Sequence, residues 1–393
     1  MPRVLRIINR FNLGGPTHNV ALLTRYMAPE FETLLVAGSK QDSEEGSEFL
    51  IEELGINSIK IPSMRRTINP ADDYAAFRHI KKIIREFKPD IVHTHAAKAG
   101  ALGRLAGYQM KVPVILHTFH GHVFHSYFNP IKTKIILHAE RFLAKRTTAI
   151  VAISASQKED LSSTYRICSP EKIRIIPLGL DFSKFRERQH EKRKAFRDRY
   201  VLKDDEIAIG IIGRLVPIKN HSLFLQAIRI LFSRCDKKIC AFIIGDGEEK
   251  DRIIKTAAEL GLNTDASANN QTTSRLYFTS WMKDIDVAMA GLDIIVLTSL
   301  NEGTPVSLVE AQAAGKAIVA TNVGGVRNVV VPGQTALLSE SGNAEDLVSN
   351  LVRIIGDERL RLQMGQAGWE NVRDNFHYTR LIADMSKLYH ELL

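Results

Sequence analysis

The chain has 393 residues, of which 45% are hydrophobic and 25% are charged, an ordinary composition for a folded globular protein that excludes extensive disorder. So long a chain rarely forms a single core, so we expect two domains of fewer than ~200 residues each. The 53 Lys and Arg outnumber the 44 Asp and Glu by nine, which favours anionic partners such as phosphates, acidic lipid or nucleic acid. No zinc-finger spacing, aromatic RNA-binding run or basic zipper is present, so we expect no nucleic-acid partner.

Location and cysteine chemistry are also bounded by the sequence. No apolar run reaches the ~18 residues that a membrane-spanning helix needs, and Asn9 and Arg10 come too early for a signal peptide, so we expect a cytoplasmic protein. Cys168, Cys235 and Cys240 form no CxxC pair. They predict neither a disulfide framework nor a zinc site.

The first half of the chain alternates predicted strands with predicted helices. Residues 4–8 form a buried apolar run, and residues 16–27 show the periodicity of a helix. The other predicted strands of this half are residues 33–37, 58–61, 91–95, 114–119, 149–153 and 173–176. Such alternation predicts a doubly wound parallel sheet that binds ligands at the carboxyl ends of its strands.

A domain boundary is predicted at Leu178, because a proline and a glycine follow a strand there. The charged segment 183–203 predicts a solvated connector helix. The last helix, residues 378–392, is expected to return to the first domain. The predicted domains are therefore 1–178, joined by 376–393, and 179–375.

Gly14 and Gly15 lie between the first predicted strand and its helix. A glycine pair lets the backbone approach a ligand closely, as a phosphate loop requires. It has no GxGxxG frame, so a plain tight turn is the other interpretation.

Histidines cluster at the ends of the predicted strands 91–95 and 114–119, and His120 and His122 are the candidates that we single out. The cluster has no regular metal-ligand spacing and no neighbouring cysteine, so we expect no metal there. Packing or hydrogen bonding within the core is the alternative role for these rings.

Residues 129–146, from Asn129 to Arg146, predict an amphipathic helix with a basic face that only Glu140 offsets. A solvated helix face explains the pattern. Peripheral contact with anionic lipid at the inner membrane face is the other interpretation, and the two stay open.

The second half opens with the predicted strand Ile207–Ile212 and a loop that carries two cations. Gly213 permits the turn, and Arg214 and Lys219 suit a diphosphate, although two cations on a surface loop are also commonplace. Asn220 is predicted to cap the following helix.

Residues 298–325 predict a loop, a helix, a buried strand and a glycine turn, following the apolar run Ile294–Leu297. We expect Thr304 to be the N-cap, Pro305 the first helical residue and Gly315 the closing residue. A helix that starts just past a parallel strand directs free amides at the crevice beyond it.

Two carboxylates, Glu302 and Glu310, bracket the start of this helix, and Glu310 is expected roughly 9 Å further along its axis. Carboxylates accept paired hydrogen bonds from vicinal hydroxyls, so the spacing suits a nucleotide sugar. Two solvated glutamates on a capped surface helix are the alternative interpretation.

Two other loops follow predicted strands on this side. Gly245 ends one strand in a turn, and Trp281 and Met282 follow the next. Asp284 and Asp286 spell the metal motif DxD, but the motif opens a helix, so we predict that Asp284 is an N-cap instead.

The run Glu302-Gly303-Thr304-Pro305, with Glu310 and the later Ala-Gly-Lys, resembles the donor-site signature of the family 4 retaining glycosyltransferases, also called glycosyl transferases group 1. The resemblance extends over nearly the whole chain. It implies an α/β protein of the GT-B superfamily, with two Rossmann-like domains that face each other across a cleft holding the active site.

The resemblance also implies roles for individual residues. Glu310 would bind the ribose hydroxyls, Glu302 a sugar hydroxyl, and His120 would face the donor sugar. The implied catalytic residues are His120, Arg214, Lys219 and Glu302. The implied donor-binding residues are Gly14, Gly15, Gly213, Arg214, Lys219, Gly245, Trp281, Met282, Glu302, Gly303, Thr304, Pro305 and Glu310.

The implied activity is transfer of a sugar, with retention, from a nucleoside-diphosphate donor to a hydroxyl of a glycan or lipid-linked glycan in cell-surface polysaccharide synthesis. A UDP-sugar donor is expected, with UDP-N-acetylhexosamine included. No cofactor or metal is expected, because cationic side chains would stabilise the leaving diphosphate. A UDP-sugar epimerase of the same fold and a non-catalytic nucleotide-sugar-binding subunit are the alternatives.

Overall fold

The computed structural model describes residues 1–11, 14–39, 46–65, 67, 69–121, 130–262 and 275–393. The chain divides into two compact units, Met1–Leu180 with Phe376–Leu393 and Asp181–Asn375. Each unit is built on one parallel sheet flanked by helices.

The first unit contains a seven-stranded sheet in the order β3-β2-β1-β4-β5-β6-β7. Its strands are β1 (Arg3–Ile8), β2 (Glu32–Gly38), β3 (Ser58–Ile61), β4 (Ile91–His95), β5 (Val114–Phe119), β6 (Ala149–Ala152) and β7 (Ile173–Ile175). Its helices are α1 (Gly15–Tyr26), α2 (Glu48–Glu53), α3 (Pro70–Phe87), α4 (Ala97–Gln109), α5 (Pro130–Lys145), α6 (Ala155–Glu159) and the C-terminal helix (Tyr378–Leu392). The predicted strands of this half are confirmed.

The strand order of this sheet reverses between β1 and β4, which pair in parallel. The loops after these two strands therefore leave the same edge of the sheet, where doubly wound folds bind ligands. The C-terminal helix packs on this unit through Tyr389, which is fully buried and lies edge-on to Phe31 with ring centroids 5.3 Å apart.

Local sequence explains where α3 begins and ends. The Asn69 side chain accepts hydrogen bonds from the amides of Ala71 and Asp72, and Pro70 needs no amide partner at the first position. Lys88 ends the helix in a left-handed conformation with φ 50°. Ile80 and Ile84, one turn apart, are buried and fix the inward face.

The second unit contains a six-stranded sheet in the order β10-β9-β8-β11-β12-β13. Its strands are β8 (Ile207–Ile212), β9 (Ile239–Ile244), β10 (Arg275–Ser280), β11 (Ile294–Leu297), β12 (Ala317–Thr321) and β13 (Leu337–Ser339). Its helices are α7 (Ser183–Arg186), α8 (Gln189–Arg199), α9 (His221–Arg234), α10 (Lys250–Glu259), α11 (Ile285–Gly291), α12 (Val306–Ala313), α13 (Ala344–Gly356) and α14 (Glu358–Asn375).

The reversal of strand order in this sheet lies between β8 and β11, which pair in parallel. All residues of both strands are buried, as expected for a parallel sheet covered on both faces. The loop after β8 and the loop after β11 consequently leave the sheet side by side.

The prediction of a solvated connector helix over residues 183–203 is wrong. Arg188, with φ 53°, separates α7 from α8. Phe185 and Phe196 are each only 1% exposed, and Arg193 forms an ion pair with Asp293 at 2.9 Å. The charged residues thus cover a helix pair that packs into the second unit.

The predicted start of α12 is also wrong. Pro305 is the N-cap, with ψ 94°, and the first helical residue is Val306. Proline disfavours the helical conformation at the residue before it. The buried Oγ1 of Thr304 has no hydrogen-bond partner among the described residues and does not cap the helix. The predicted end is confirmed, because Gly315 adopts φ 68° and Lys316 N donates to the Ala311 carbonyl at 2.9 Å.

Two other predicted caps occupy the N-cap position without a side-chain hydrogen bond. Asn220 is left-handed, with φ 49° and ψ 51°, whereas a capping side chain needs an extended backbone to reach the helix amides. Asp284 precedes α11 with φ −87° and ψ 65° and makes no capping bond through its side chain.

Candidate active site

Lys219 and Glu302 meet at the carboxyl ends of β8 and β11. Lys219 Nζ lies 2.5 Å from Glu302 Oε1, and both side chains are largely buried, with 20% and 11% exposed. Ser299 Oγ donates to the same Oε1 at 2.6 Å. Thr298 Oγ1 donates to the Lys219 carbonyl at 3.0 Å, so backbone and side chains both join the two loops. The structure therefore brings together a cation and a carboxylate that are 83 residues apart.

Gly213 and Gly245 allow the neighbouring loops to pack backbone against backbone. A Cβ atom on Gly245 would lie 1.9 Å from the Gly213 carbonyl oxygen. Gly213 N donates to the Ile244 carbonyl at 3.0 Å, and Gly245 N donates to the Ser280 carbonyl at 3.0 Å. Three adjacent strand ends are thus linked, and the Lys219 side chain lies over Gly213, where a Cβ would be 3.6 Å from its Cε.

Arg214 lies on the same loop as Lys219 but does not reach the Lys219–Glu302 pair. Its side chain is exposed and forms no ion pair or hydrogen bond within the described ranges. Its positive charge is therefore not neutralised by a neighbouring carboxylate.

The loop that carries Glu302 and Gly303 is braced by Gly324 and Gly325. Gly325 N donates to the Glu302 carbonyl at 2.9 Å. A Cβ on Gly325 would lie 1.5 Å from the Gly303 carbonyl oxygen, and a Cβ on Gly324 would lie 2.3 Å from that of Glu302. We did not predict this glycine pair as part of the site, although a Gly-Gly turn directly after β12 was its signal.

Glu310 lies in α12, five residues after its N-cap, and is partly buried. Burial raises the pKa of its carboxyl to about 7, the nearby Lys184 lowers this pKa, and Asp286 raises it. Near neutral pH this carboxyl therefore exchanges between its protonated and ionised forms.

Trp281 and Met282 follow β10 and are both partly buried. The residue before them, Ser280, receives a hydrogen bond from Lys250 Nζ at 2.8 Å. Lys250 Nζ also lies 2.8 Å from Asp246 Oδ2, which holds the pKa of that carboxyl below its usual value. We did not predict this lysine, whose signal was its place four residues after Asp246, at the start of α10.

In the first unit, Gly14 and Gly15 begin α1. Gly14 is the N-cap, with φ 136°, and Gly15 is the first helical residue and is buried. A backbone at φ 136° favours glycine, so both interpretations of this pair, a tight turn and a phosphate loop, remain compatible with the structure.

His120 takes part in a histidine network of the first unit. His120 Nε2 lies 2.9 Å from His95 Nδ1. The adjacent His93 contacts Tyr389 Oη at 2.6 Å and Thr118 Oγ1 at 2.7 Å through its two ring nitrogens. Burial lowers the pKa of His120 to about 3 and holds the pKa values of His93 and His95 well below the usual value. These three rings are therefore neutral at pH 7.

His122 and Asn129 lie outside the described residues. Among the residues that are described, no group of three or more His, Cys, Asp or Glu could hold a metal ion. Asp286 of the DxD run lies 2.8 Å from Lys192 Nζ in an ion pair. None of the helices in the described ranges combines the length and the apolar character needed to cross a bilayer.

Two family models match this chain. The model described as Glycosyltransferase Family 4 matches residues 13–184, and the model described as Glycosyl transferases group 1 matches residues 192–370. The chain is 28% identical over 346 residues to the UDP-Gal:alpha-D-GlcNAc-diphosphoundecaprenol alpha-1,3-galactosyltransferase of Escherichia coli, covering 86% of this chain and 84% of that protein. It is 24% identical over 332 residues to the capsular polysaccharide biosynthesis glycosyltransferase CapM of Staphylococcus aureus, covering 82% and 83%.

Among solved structures, the chain is similar to Anabaena HepE in complex with UDP and glucose. The TM-score is 0.81 at 17% sequence identity, and the superposition covers 100% of both chains. At this identity the likeness shows a shared fold.

Proposed function

This chain belongs to the family 4 glycosyltransferases and has the GT-B fold, and from that premise we propose a retaining enzyme that transfers a sugar from a nucleoside-diphosphate donor to a glycan hydroxyl. The observation that carries the proposed donor site is the 2.5 Å contact between Lys219 and Glu302. It lies at the switch point of the second sheet, where open α/β sheets bind their ligands.

The two residues of this pair have different proposed tasks. Lys219, with the unneutralised Arg214, stabilises the negative charge that develops on the leaving diphosphate, a task that metal ions perform in other enzymes. Glu302 accepts a hydrogen bond from a hydroxyl of the transferred sugar. Lys219 and Ser299 both contact its Oε1, so Oε2 keeps its lone pairs for that hydroxyl.

Glu310 is proposed to accept hydrogen bonds from the ribose hydroxyls. It lies on the same helix whose first amides follow Pro305, and those amides are free to contact the diphosphate. Loop amides of Gly303 and Thr304 and the backbone at Trp281 and Met282 complete the proposed donor site.

Retention is proposed to follow a front-face route without a metal. The bond between the anomeric carbon and the diphosphate oxygen breaks, and the acceptor oxygen bonds to the same face of that carbon. The leaving phosphate oxygen takes the acceptor proton. Glu302 is not assigned as a covalent nucleophile, because Lys219 and Ser299 engage its Oε1 and its Oε2 is assigned to the sugar hydroxyl.

A UDP-sugar is the proposed donor and a lipid-linked glycan the proposed acceptor, with a hexose or an N-acetylhexosamine as the transferred sugar. Two comparisons support this choice. The E. coli relative is named for a UDP-Gal donor and a diphosphoundecaprenol acceptor, and HepE forms a complex with UDP and glucose. Such an enzyme would work on the cytoplasmic side of a membrane in cell-surface polysaccharide synthesis.

Helix α5 is proposed to contact anionic lipid. Ile135 is 64% exposed and Phe142 is 48% exposed, and the Arg146 guanidinium lies 3.5 Å from the centre of the Phe142 ring. Glu140 faces inward, where its carboxylate forms an ion pair with the buried Arg104 at 2.7 Å. The one acidic residue of the helix therefore does not offset its exposed basic charge.

Sedimentation with phosphatidylglycerol vesicles at low salt tests the membrane contact. We expect Ile135→Glu to weaken binding at least several-fold, because it removes apolar area and adds a repelled charge. Leu362→Glu is the matched control, since Leu362 is 68% exposed in the other unit. Equal binding by both variants would refute the role of α5.

The transfer itself is tested by incubating the protein with UDP-, GDP- and ADP-sugars, with and without a lipid-diphosphate-linked sugar acceptor. We expect acceptor-dependent release of UDP and a product that retains the anomeric configuration. Conversion of a UDP-sugar without an acceptor would instead indicate an epimerase. Tight binding of a UDP-sugar without turnover in either condition would indicate a non-catalytic subunit.

A further inference from the structure

The end of β4 places His95 directly against His120. His95 Nδ1 and His120 Nε2 are 2.9 Å apart, and the two rings stack with centroids 5.2 Å apart and 27° between their planes. We infer that His95 is a positioning residue that fixes the orientation and the tautomer of His120. This role rests on the proposed function, together with the family resemblance, which implies that His120 faces the donor sugar.

His95 is itself held rigidly enough for this task. Its side chain is fully buried, and its ring lies 4.3 Å, centroid to centroid, from that of His93. His93 is fixed at both ring nitrogens, by Tyr389 Oη and by Thr118 Oγ1. The ring of His95 therefore lies between one immobile ring and His120.

The backbone after His95 also supports a special geometry. Ala96 has φ 66° and ψ 159°, a region that is occupied almost only by glycine. A non-glycine residue stays there only where the surrounding structure imposes it. This conformation sets the direction in which β4 ends and α4 begins, immediately beside the His95 ring.

Each neutral ring carries one N–H, and the 2.9 Å hydrogen bond requires that one of the two facing nitrogens donates and the other accepts. Where His95 Nδ1 donates, His120 must hold its own proton on Nδ1 and offers a donor there. Where His120 Nε2 donates, its Nδ1 is an acceptor. His120 Nδ1 and His95 Nε2 are buried atoms without hydrogen-bond partners in the described part of the chain. The proton on His95 thus decides whether His120 Nδ1 is a donor or an acceptor.

Two substitutions of His95 separate positioning from packing. His95→Asn keeps a polar atom close to the place of Nδ1, whereas His95→Leu fills a similar volume without one. We expect kcat to fall by on the order of tenfold or more for His95→Leu and by much less for His95→Asn, with the KM for the donor unchanged. If His95 only filled space, leucine would be the better replacement, and that reversed order would overturn the inference.

A double-mutant cycle then tests whether His95 acts through His120. We expect His95→Leu to have no further effect on kcat in a His120→Ala background. His117→Leu is the matched control, since His117 Nδ1 bonds Thr94 Oγ1 at 2.9 Å and not His120, so its effect should add to that of His120→Ala. A full additional loss from His95→Leu would overturn the inference.

Two other results are distinguishable from these. If His120→Ala leaves transfer unchanged, the positioning role is overturned and the proposed transfer stands. If the unmodified chain transfers no sugar from any donor, both are overturned. Circular dichroism and thermal unfolding of every variant show whether the first unit, which carries all three histidines, is folded, so loss of kcat is separated from loss of the fold.

Discussion

Replacing Lys219 with alanine should separate catalysis from stability clearly. Loss of one charged group that faces a developing oxyanion lowers kcat by ~10²–10³-fold, or ~2.7–4 kcal/mol in transition-state energy. The cost to folding is smaller. The Lys219–Glu302 pair is largely buried, but Ser299 still donates to the remaining carboxylate, so we expect a loss of about 1–3 kcal/mol, or a Tm lower by ~2–12 °C.

The assay is steady-state transfer from the proposed UDP-sugar donor to the proposed lipid-linked acceptor, with thermal unfolding measured on the same preparation. Arg234→Ala is the control. It breaks a solvent-exposed ion pair with Glu345 at 2.7 Å in the same unit, and it should leave kcat unchanged. A Lys219→Ala enzyme with kcat within about threefold of the wild type would refute the diphosphate role, because one charged contact is worth far more than that.

Three further predictions concern stability and pH. Folding raises the pKa of Glu310 from 4.5 to about 7, so the native state binds the extra proton and loses stability as pH rises through that window. In chemical unfolding, Glu310→Gln should therefore gain on the order of 3 kcal/mol over the wild type between these two pH values. A difference that does not change with pH would contradict the shift. Gly325→Ala should abolish UDP binding and lower Tm, because its Cβ would lie 1.5 Å from the Gly303 carbonyl oxygen. Gly356→Ala is the control; its Cβ would have nothing within 4 Å, and it should stabilise α13 by about 0.5–1 kcal/mol. Equal effects of the two variants in thermal shift would argue against the support of the Glu302–Gly303 loop by Gly325. Glu140→Ala should lower the free energy of unfolding by about 3–5 kcal/mol, since it leaves the fully buried Arg104 without its carboxylate partner. A Tm change below ~2 °C would show that the pair is not buried in solution.

The strands were predictable because each is a short apolar run that a parallel sheet buries completely. β8 and β11 match their predicted bounds for this reason. Their adjacency was not predictable from the runs themselves, since the order β10-β9-β8-β11 is a property of the whole sheet. The contact of Lys219 with Glu302 depends on that order, so the sequence predicted both residues but not their pairing.

Helix boundaries failed where backbone conformation, not side-chain type, decides the outcome. Thr304 has the chemistry of an N-cap, but the following proline disfavours a helical conformation at this residue, and the cap falls on Pro305 instead. Asn220 holds the N-cap position in a left-handed conformation that prevents its side chain from capping. Around Arg188, the many charged residues predicted a solvent-exposed helix. Phe185 and Phe196 are nevertheless buried, because burying two aromatic rings fixes the helix pair against the unit while most of the charged side chains stay at the surface.

The glycine contacts at the second sheet have a consequence for how such a site could change its substrate. Gly213 with Gly245, and Gly303 with Gly325, fix the loop geometry through main-chain atoms alone. Exposed side chains of the same loops, such as Leu300, can then be exchanged while the main-chain contacts between the loops keep their geometry. A library that varies these exposed side chains and keeps the four glycines unchanged should therefore yield folded proteins with altered sugar preference.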